Sequence, residues 1–94
     1  MKITVRLPGA LRPRAEDQST LDVKVPDRAT LADLLDVLAA EYPALERRLR
    51  DERRQLRRYV NFFVDGEECR HLGGAAASLR GAAEVQIIPS VAGG

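Results

Sequence analysis

Polar and apolar residues alternate from Lys2 to Leu7, with Ile3, Val5 and Leu7 on one face and Lys2, Thr4 and Arg6 on the other. A period of two marks a half-buried strand. Pro8-Gly9 stops it, and the polar stretch Arg12 to Ser19, with Pro13 inside it, reads as a loop. Alternation returns from Thr20 to Val25, with Leu21, Val23 and Val25 inward and Asp22 and Lys24 outward. The two strands are expected to form an antiparallel hairpin. After Pro26 the period changes. Thr30 offers an N-cap hydroxyl with Asp33 at the third helical position, an approximate capping box. Leu31, Leu34, Leu35 and Leu38 then recur at i, i+3, i+4 and i+7, one face of a helix. Tyr42 precedes Pro43, which disfavours helical backbone, so the helix should end near Glu41. A helix this short is not stable alone in water, so its leucine stripe must dock on the strands.

Ala44 to Arg58 reads as a short helical turn running into a loop, with Leu45, Leu49 and Leu56 on a shared face and Glu46–Arg50 as an i,i+4 ion pair. Tyr59 to Val64 is aromatic and β-branched and reads as a strand with Val60, Phe62 and Val64 inward. Asp65-Gly66 is a turn signal. Glu67 to Arg70 reads as a short edge strand, Gly73-Gly74 as a break, and Ala75 to Leu79 as one helical turn. Gly81 precedes a last strand, Glu84 to Pro89, with Val85 and Ile87 inward. Hairpin, helix, strand, short strand, turn, strand is the order of an α+β chain of the β-grasp, ubiquitin-like type. The expectation is a mixed sheet of four to five strands packed on one main helix. Residues 1–89 form the domain, and residues 90–94 a flexible C-terminal tail. The pairing of the hairpin with the last strand is not dictated by spacing.

At 94 residues the chain has room for one domain. Fifteen basic residues against 14 acidic leave a net charge of +1, which argues against nucleic-acid binding as the main role. No apolar run approaches the roughly 18 residues of a membrane span, and the N-terminus has no signal-peptide core. A cytoplasmic location without membrane association is expected. A single cysteine, Cys69, excludes an internal disulfide, and a single histidine, His71, excludes a multi-histidine metal site. No metal site, no bound cofactor and no catalytic residue of the chain's own is expected. A domain this small buries only about 60–65% of its unfolded surface and has little room for a deep active site. That favours a carrier, subunit or binding module over a free-standing enzyme.

The candidate chemistry lies at the end of the chain. The last strand stops at Pro89, and Ser90-Val91-Ala92-Gly93-Gly94 follow, small residues that extend at most about 17 Å. Glycine has no Cβ, so Gly93 and Gly94 can pass a narrow opening. A terminal carboxylate is ionised at neutral pH and can attack the α-phosphate of ATP inside another protein. The resulting acyl-adenylate is open to sulfur or nitrogen nucleophiles. The same ending is also compatible with a frayed terminus.

The chain resembles the MoaD/ThiS family of small ubiquitin-like sulfur carriers, most strongly over Tyr59 to Gly94 and only in pattern over the first 42 residues. The residues that carry this are Val60-Asn61, Val64, Arg70, Gly73-Gly74, Gly81, Val85, Ile87, Pro89 and Val91-Ala92-Gly93-Gly94. Arg70-His71-Leu72-Gly73-Gly74, with the ending from Pro89, is most similar to the CysO-type carriers of cysteine synthesis. The resemblance implies a cycle. An E1-like adenylating enzyme activates the Gly94 carboxylate with ATP, and sulfide or another sulfur donor converts it to a thiocarboxylate. A synthase then accepts the tail, threaded through Val91, Ala92 and Gly93, and takes the sulfur. In CysO-type systems the synthase is a pyridoxal phosphate enzyme and a metalloprotease releases the cysteine product. ATP and the sulfur donor are used by partners rather than bound here. Small subunits of molybdopterin synthase, thiamine-type carriers and ubiquitin-like protein modifiers stay open as alternatives, as does a non-covalent interaction or RNA-binding module.

Strand alternation sends Tyr59, Phe63 and Ile88 to the outer face of the sheet, where apolar side chains can mark a docking site. Together with Arg70 they are the candidate partner contacts, unless Ala75 to Leu79 covers the face. Cys69 reads as a small packed residue rather than a sulfur relay, and His71 as a surface residue. Arg47 to Arg58 holds seven arginines against Asp51 and Glu52, in a chain with 13 arginines and two lysines. A solvated face is the default for it, with a partner contact or RNA as alternatives.

Overall fold

Five strands share one sheet in the order β2-β1-β5-β3-β4. They are β1 (Lys2–Arg6), β2 (Thr20–Lys24), β3 (Val60–Val64), β4 (Glu67–Glu68) and β5 (Glu84–Pro89). The computed structural model describes residues 1–90. β1 and β2 form the expected antiparallel hairpin, with Ile3 opposite Val23 and Val5 opposite Leu21. β5 lies between β1, which it meets in parallel, and β3, which it meets antiparallel. The first and last strands are therefore central neighbours, a pairing that spacing alone left open. Asp65 and Gly66, both at positive φ, turn β3 into β4 as a two-residue connection with left-handed backbone requires.

One face of the sheet is covered by α1 (Leu31–Glu41), followed at once by the single turn α2 (Pro43–Glu46). The capping box is complete. Thr30 Oγ1 accepts from the Asp33 amide at 3.3 Å, and the Thr30 amide donates to Asp33 Oδ2 at 2.9 Å. Leu31, Leu34, Leu35 and Leu38 are fully buried against Ile3, Val5, Phe62 and Ile87 from the inner face of the sheet. Each such leucine contributes about 2 kcal/mol over its exposed state, which is what holds an otherwise unstable 11-residue helix. Pro43 ends α1 and starts α2, where its fixed φ and missing N–H cost nothing.

Three segments differ from the sequence expectation. Gly9–Ala15 is a 3-10 helix rather than a polar loop, and it buries Leu11 and Ala15 beneath its arginines. The edge strand stops at Glu68, because Cys69–Leu72 closes into a 3-10 turn that carries Cys69 into the core. The helical turn expected at Ala75–Leu79 sits at Gly74–Ala76. The segment after it docks on the start of α1. The Leu31 amide donates to the Ala77 carbonyl and the Leu79 amide to the Ala29 carbonyl. Ala75 to Leu79 therefore packs on the helical side and leaves the outer face of the sheet open.

Candidate functional site

The end of β5 delivers the chain to its terminus, and several side chains fix the departure point. The Ser90 amide donates to the Tyr59 carbonyl at 2.6 Å, so the backbone pairing continues one residue past Pro89. Asn61 Nδ2 donates to Ser90 Oγ at 3.0 Å. Arg70 Nη1 donates to Asn61 Oδ1 at 3.0 Å and to Glu68 Oε1 at 3.2 Å, while Nη2 reaches the Arg58 carbonyl at 3.2 Å. Glu68, Arg70, Asn61 and Ser90 thus form one relay across three strands to the root of the tail. Arg70, an expected partner contact, makes these bonds within its own chain and keeps about half of its side chain exposed. Ser90, grouped with the tail by composition, is bonded into the sheet. The other tail residues, Val91, Ala92, Gly93 and Gly94, lie outside the described residues.

The outer face around this point is apolar at its centre. Tyr59 is 54% and Ile88 39% exposed, and Phe63 is half-buried. Asn61 pairs with Ile88 and Phe63 with Gln86, so Phe63 and Ile88 are diagonal neighbours on adjacent strands of one face. The Arg6–Glu84 ion pair and the Glu68–Arg70 pair edge the patch. The three apolar residues singled out from alternation therefore do come together, beside the root of the tail.

Cys69 packs in the core, and burial raises its thiol above the ordinary range, with the Glu68 charge adding to the effect. It has neither the exposure nor the thiolate character of a reactive cysteine. His71 is exposed. Among the described residues no cluster of His, Cys, Asp and Glu could hold a metal, and no helix is long and apolar enough to cross a membrane.

Sequence reasoning missed the division of labour among the arginines. Arg50 is buried, its Nε 2.6 Å from Glu46 Oε1 and its Nη2 2.9 Å from Asp36 Oδ1. The Glu46–Arg50 spacing was legible, but the second partner on α1 was not. Past Arg50 the chain makes a tight hairpin in which Arg50 and Leu56 bridge. Asp51 Oδ1 accepts from the Arg53 amide at 2.8 Å and the Gln55 amide at 3.0 Å. The Gln55 amide foremost, helped by the Arg53 amide and the Arg57 and Arg53 charges, holds the Asp51 carboxyl below its usual range despite the opposing effect of desolvation.

A sheet whose last strand leads to an anchored Ser90 beside an open apolar face fits the relatives that the chain matches. Residues 5–94 match the ThiS family. The chain is 34% identical over the full length of both sequences to the sulfur carrier protein CysO of Mycobacterium tuberculosis. It is 38% identical to small archaeal modifier protein 3 of Haloferax volcanii, over 82% of this chain and 83% of that one. The crystal structure of M. tuberculosis CysO superposes with a TM-score of 0.82 at 33% identity, covering 95% of this chain and 99% of that one. A chain in the Amycolatopsis orientalis BexX/CysO complex superposes with a TM-score of 0.85 at 29% identity, covering 98% and 99%. The chain belongs to the ThiS family of ubiquitin-like sulfur carriers.

Proposed function

We propose that the chain is a sulfur-carrying cosubstrate whose reacting atom is the Gly94 carboxyl carbon, and that the sulfur goes to cysteine synthesis. The full-length likeness to CysO carries this reading, joined to a sequence that ends Gly93-Gly94 four residues beyond the anchored Ser90. In the first step a Gly94 carboxylate oxygen attacks the α-phosphorus of ATP on an E1-like adenylating enzyme, and pyrophosphate leaves. A sulfur donor then attacks the adenylated carbonyl carbon and AMP leaves, placing sulfur on Gly94. A sulfur-accepting synthase, of the pyridoxal phosphate type in the cysteine case, takes the tail and the sulfur, and a metalloprotease releases the product.

The chain's own contribution is presentation. The Glu68–Arg70–Asn61–Ser90 relay holds the root of the tail, and Tyr59, Phe63 and Ile88 offer the apolar surface on which a partner docks. That a CysO chain is found in complex with BexX supports docking of this fold on a partner protein. Deleting Gly93 and Gly94 tests the reading. With the adenylating enzyme of the same cell, the full chain should stimulate ATP–pyrophosphate exchange and the truncated chain should not. Equal exchange by both would contradict it.

The similarity to small archaeal modifier protein 3 favours one second reading, a modifier joined through Gly94 to lysines of other proteins. Both readings share the adenylate. A thiocarboxylate on the free chain points to the carrier; target-linked chains without it point to the modifier.

A further inference from the structure

Of the seven arginines between 47 and 58, Arg50 is spent on Glu46 and Asp36, and Arg54 Nη1 reaches Asp36 Oδ1 at 3.2 Å. Among the described residues, Arg47, Arg48, Arg53, Arg57 and Arg58 make no ion pair with a carboxylate. They are not on a floppy loop. The Arg50–Leu56 bridge closes the hairpin, the Asp51 carboxylate caps its turn, and the Arg57 amide donates to the Leu49 carbonyl at 3.0 Å. Arg57 Nε donates to the Arg47 carbonyl at 2.9 Å. Arg47, Arg54 and Arg57 line one shallow cleft, and Arg57, Arg58 and Tyr59 line the next. The second cleft leads to the root of the tail, because the Tyr59 carbonyl accepts from the Ser90 amide.

Chain length then constrains whatever meets these charges. Four residues beyond Ser90 span at most about 14 Å, so a protein that reacts with the Gly94 carboxylate must approach Ser90 to within that distance. Its surface must therefore lie beside Tyr59 and Arg58. We propose that the arginine hairpin is an electrostatic docking element for the acidic rim of the channel that receives the tail. This rests on the carrier reading above. Glu46, Asp51, Glu52 and Asp36 lie among the arginines, and the whole chain carries only +1. Such mixed charge suits a patterned protein surface better than the uniform negative charge of a nucleic-acid backbone. Charges at the rim of an interface act chiefly on association, with a marked salt dependence.

The test uses the full chain, the adenylating enzyme of the same cell, and ATP–pyrophosphate exchange at increasing sodium chloride. The variant R47E/R53E/R58E alters exposed side chains only and should keep the wild-type circular dichroism; R47Q/R53Q/R58Q serves if it does not fold. The reversed chain should show its KM raised about tenfold or more with kcat unchanged, and a flatter dependence on salt. R47K/R53K/R58K should restore the wild-type KM, because charge rather than guanidinium geometry is the requirement. Exchange by the wild type with the same KM in the Glu and Gln variants overturns the docking element and leaves the carrier reading standing. No exchange by the wild type overturns both. An unchanged KM together with salt-sensitive binding of single-stranded RNA, lost in the Glu variant, would assign the hairpin to nucleic acid instead.

Discussion

Cys69 is the one thiol of the chain, and the side chain is built against carrying sulfur. Burial disfavours the thiolate, and the Glu68 carboxylate beside it disfavours it further. The folded state therefore keeps the proton more tightly than the unfolded one. Its contribution to stability is complete below the ordinary thiol pKa and is lost as pH rises through the higher folded value. Two outcomes follow for this residue. A disulfide thiol probe at pH 8 should label the native chain far more slowly than the chain in guanidinium chloride. Cys69→Ser should leave sulfur loading of Gly94 unchanged. Equal labelling rates would show an accessible thiol, and loss of loading in the serine variant would give that thiol a part in sulfur transfer.

The elements differ in how openly the sequence announces them. β1, β2, β3, β5 and α1 follow from period alone, because each buries one face and exposes the other. Thr30 and Pro43 mark the ends of α1 through a hydroxyl acceptor and a steric clash, both local effects. The 3-10 helix at Gly9–Ala15 was hidden because arginines and Pro13 surround the only two residues it buries, Leu11 and Ala15. The arginine hairpin was hidden for another reason. All seven guanidinium groups look alike in sequence, and what separates Arg50 from the rest is its burial between Glu46 and Asp36, the latter fourteen residues away on α1. Of the described part of the site, the apolar outward residues were legible in the alternation, whereas the relay from Glu68 to Ser90 joins positions on neighbouring strands. Arg50 should accordingly behave as a core residue. Replacing it with Met leaves Glu46, only 15% exposed, without its cation. A loss of about 2–3 kcal/mol is expected, on the order of 10–20 °C in Tm for a domain of this size. The exposed Arg53→Met should shift Tm by only a degree or two, within the about 0.5 kcal/mol of a typical surface change. Similar shifts for both variants would show that Arg50 braces nothing.

Across the whole molecule the two faces of the sheet have separate duties. The inner face and α1 supply more than half of the buried apolar side chains, and α2, the 3-10 segments and the adjoining loops supply the rest. The outer face contributes little to folding and carries Tyr59, Ile88 and Phe63 beside the anchored Ser90, with the arginine hairpin along one side. Ile88→Glu should therefore leave Tm almost unchanged and weaken binding to the adenylating enzyme about tenfold or more, as desolvating an unpaired charge requires. Unchanged affinity by isothermal titration would remove the apolar patch from the interface. The central claim, however, concerns the last residue. Incubated with ATP, its adenylating enzyme and sulfide, the intact chain should gain in its mass spectrum the difference between sulfur and oxygen. Fragmentation should place that gain on Gly94, and the chain lacking Gly93 and Gly94 should gain nothing. A mass unchanged in the intact chain, or a sulfur located on Cys69, would contradict the account.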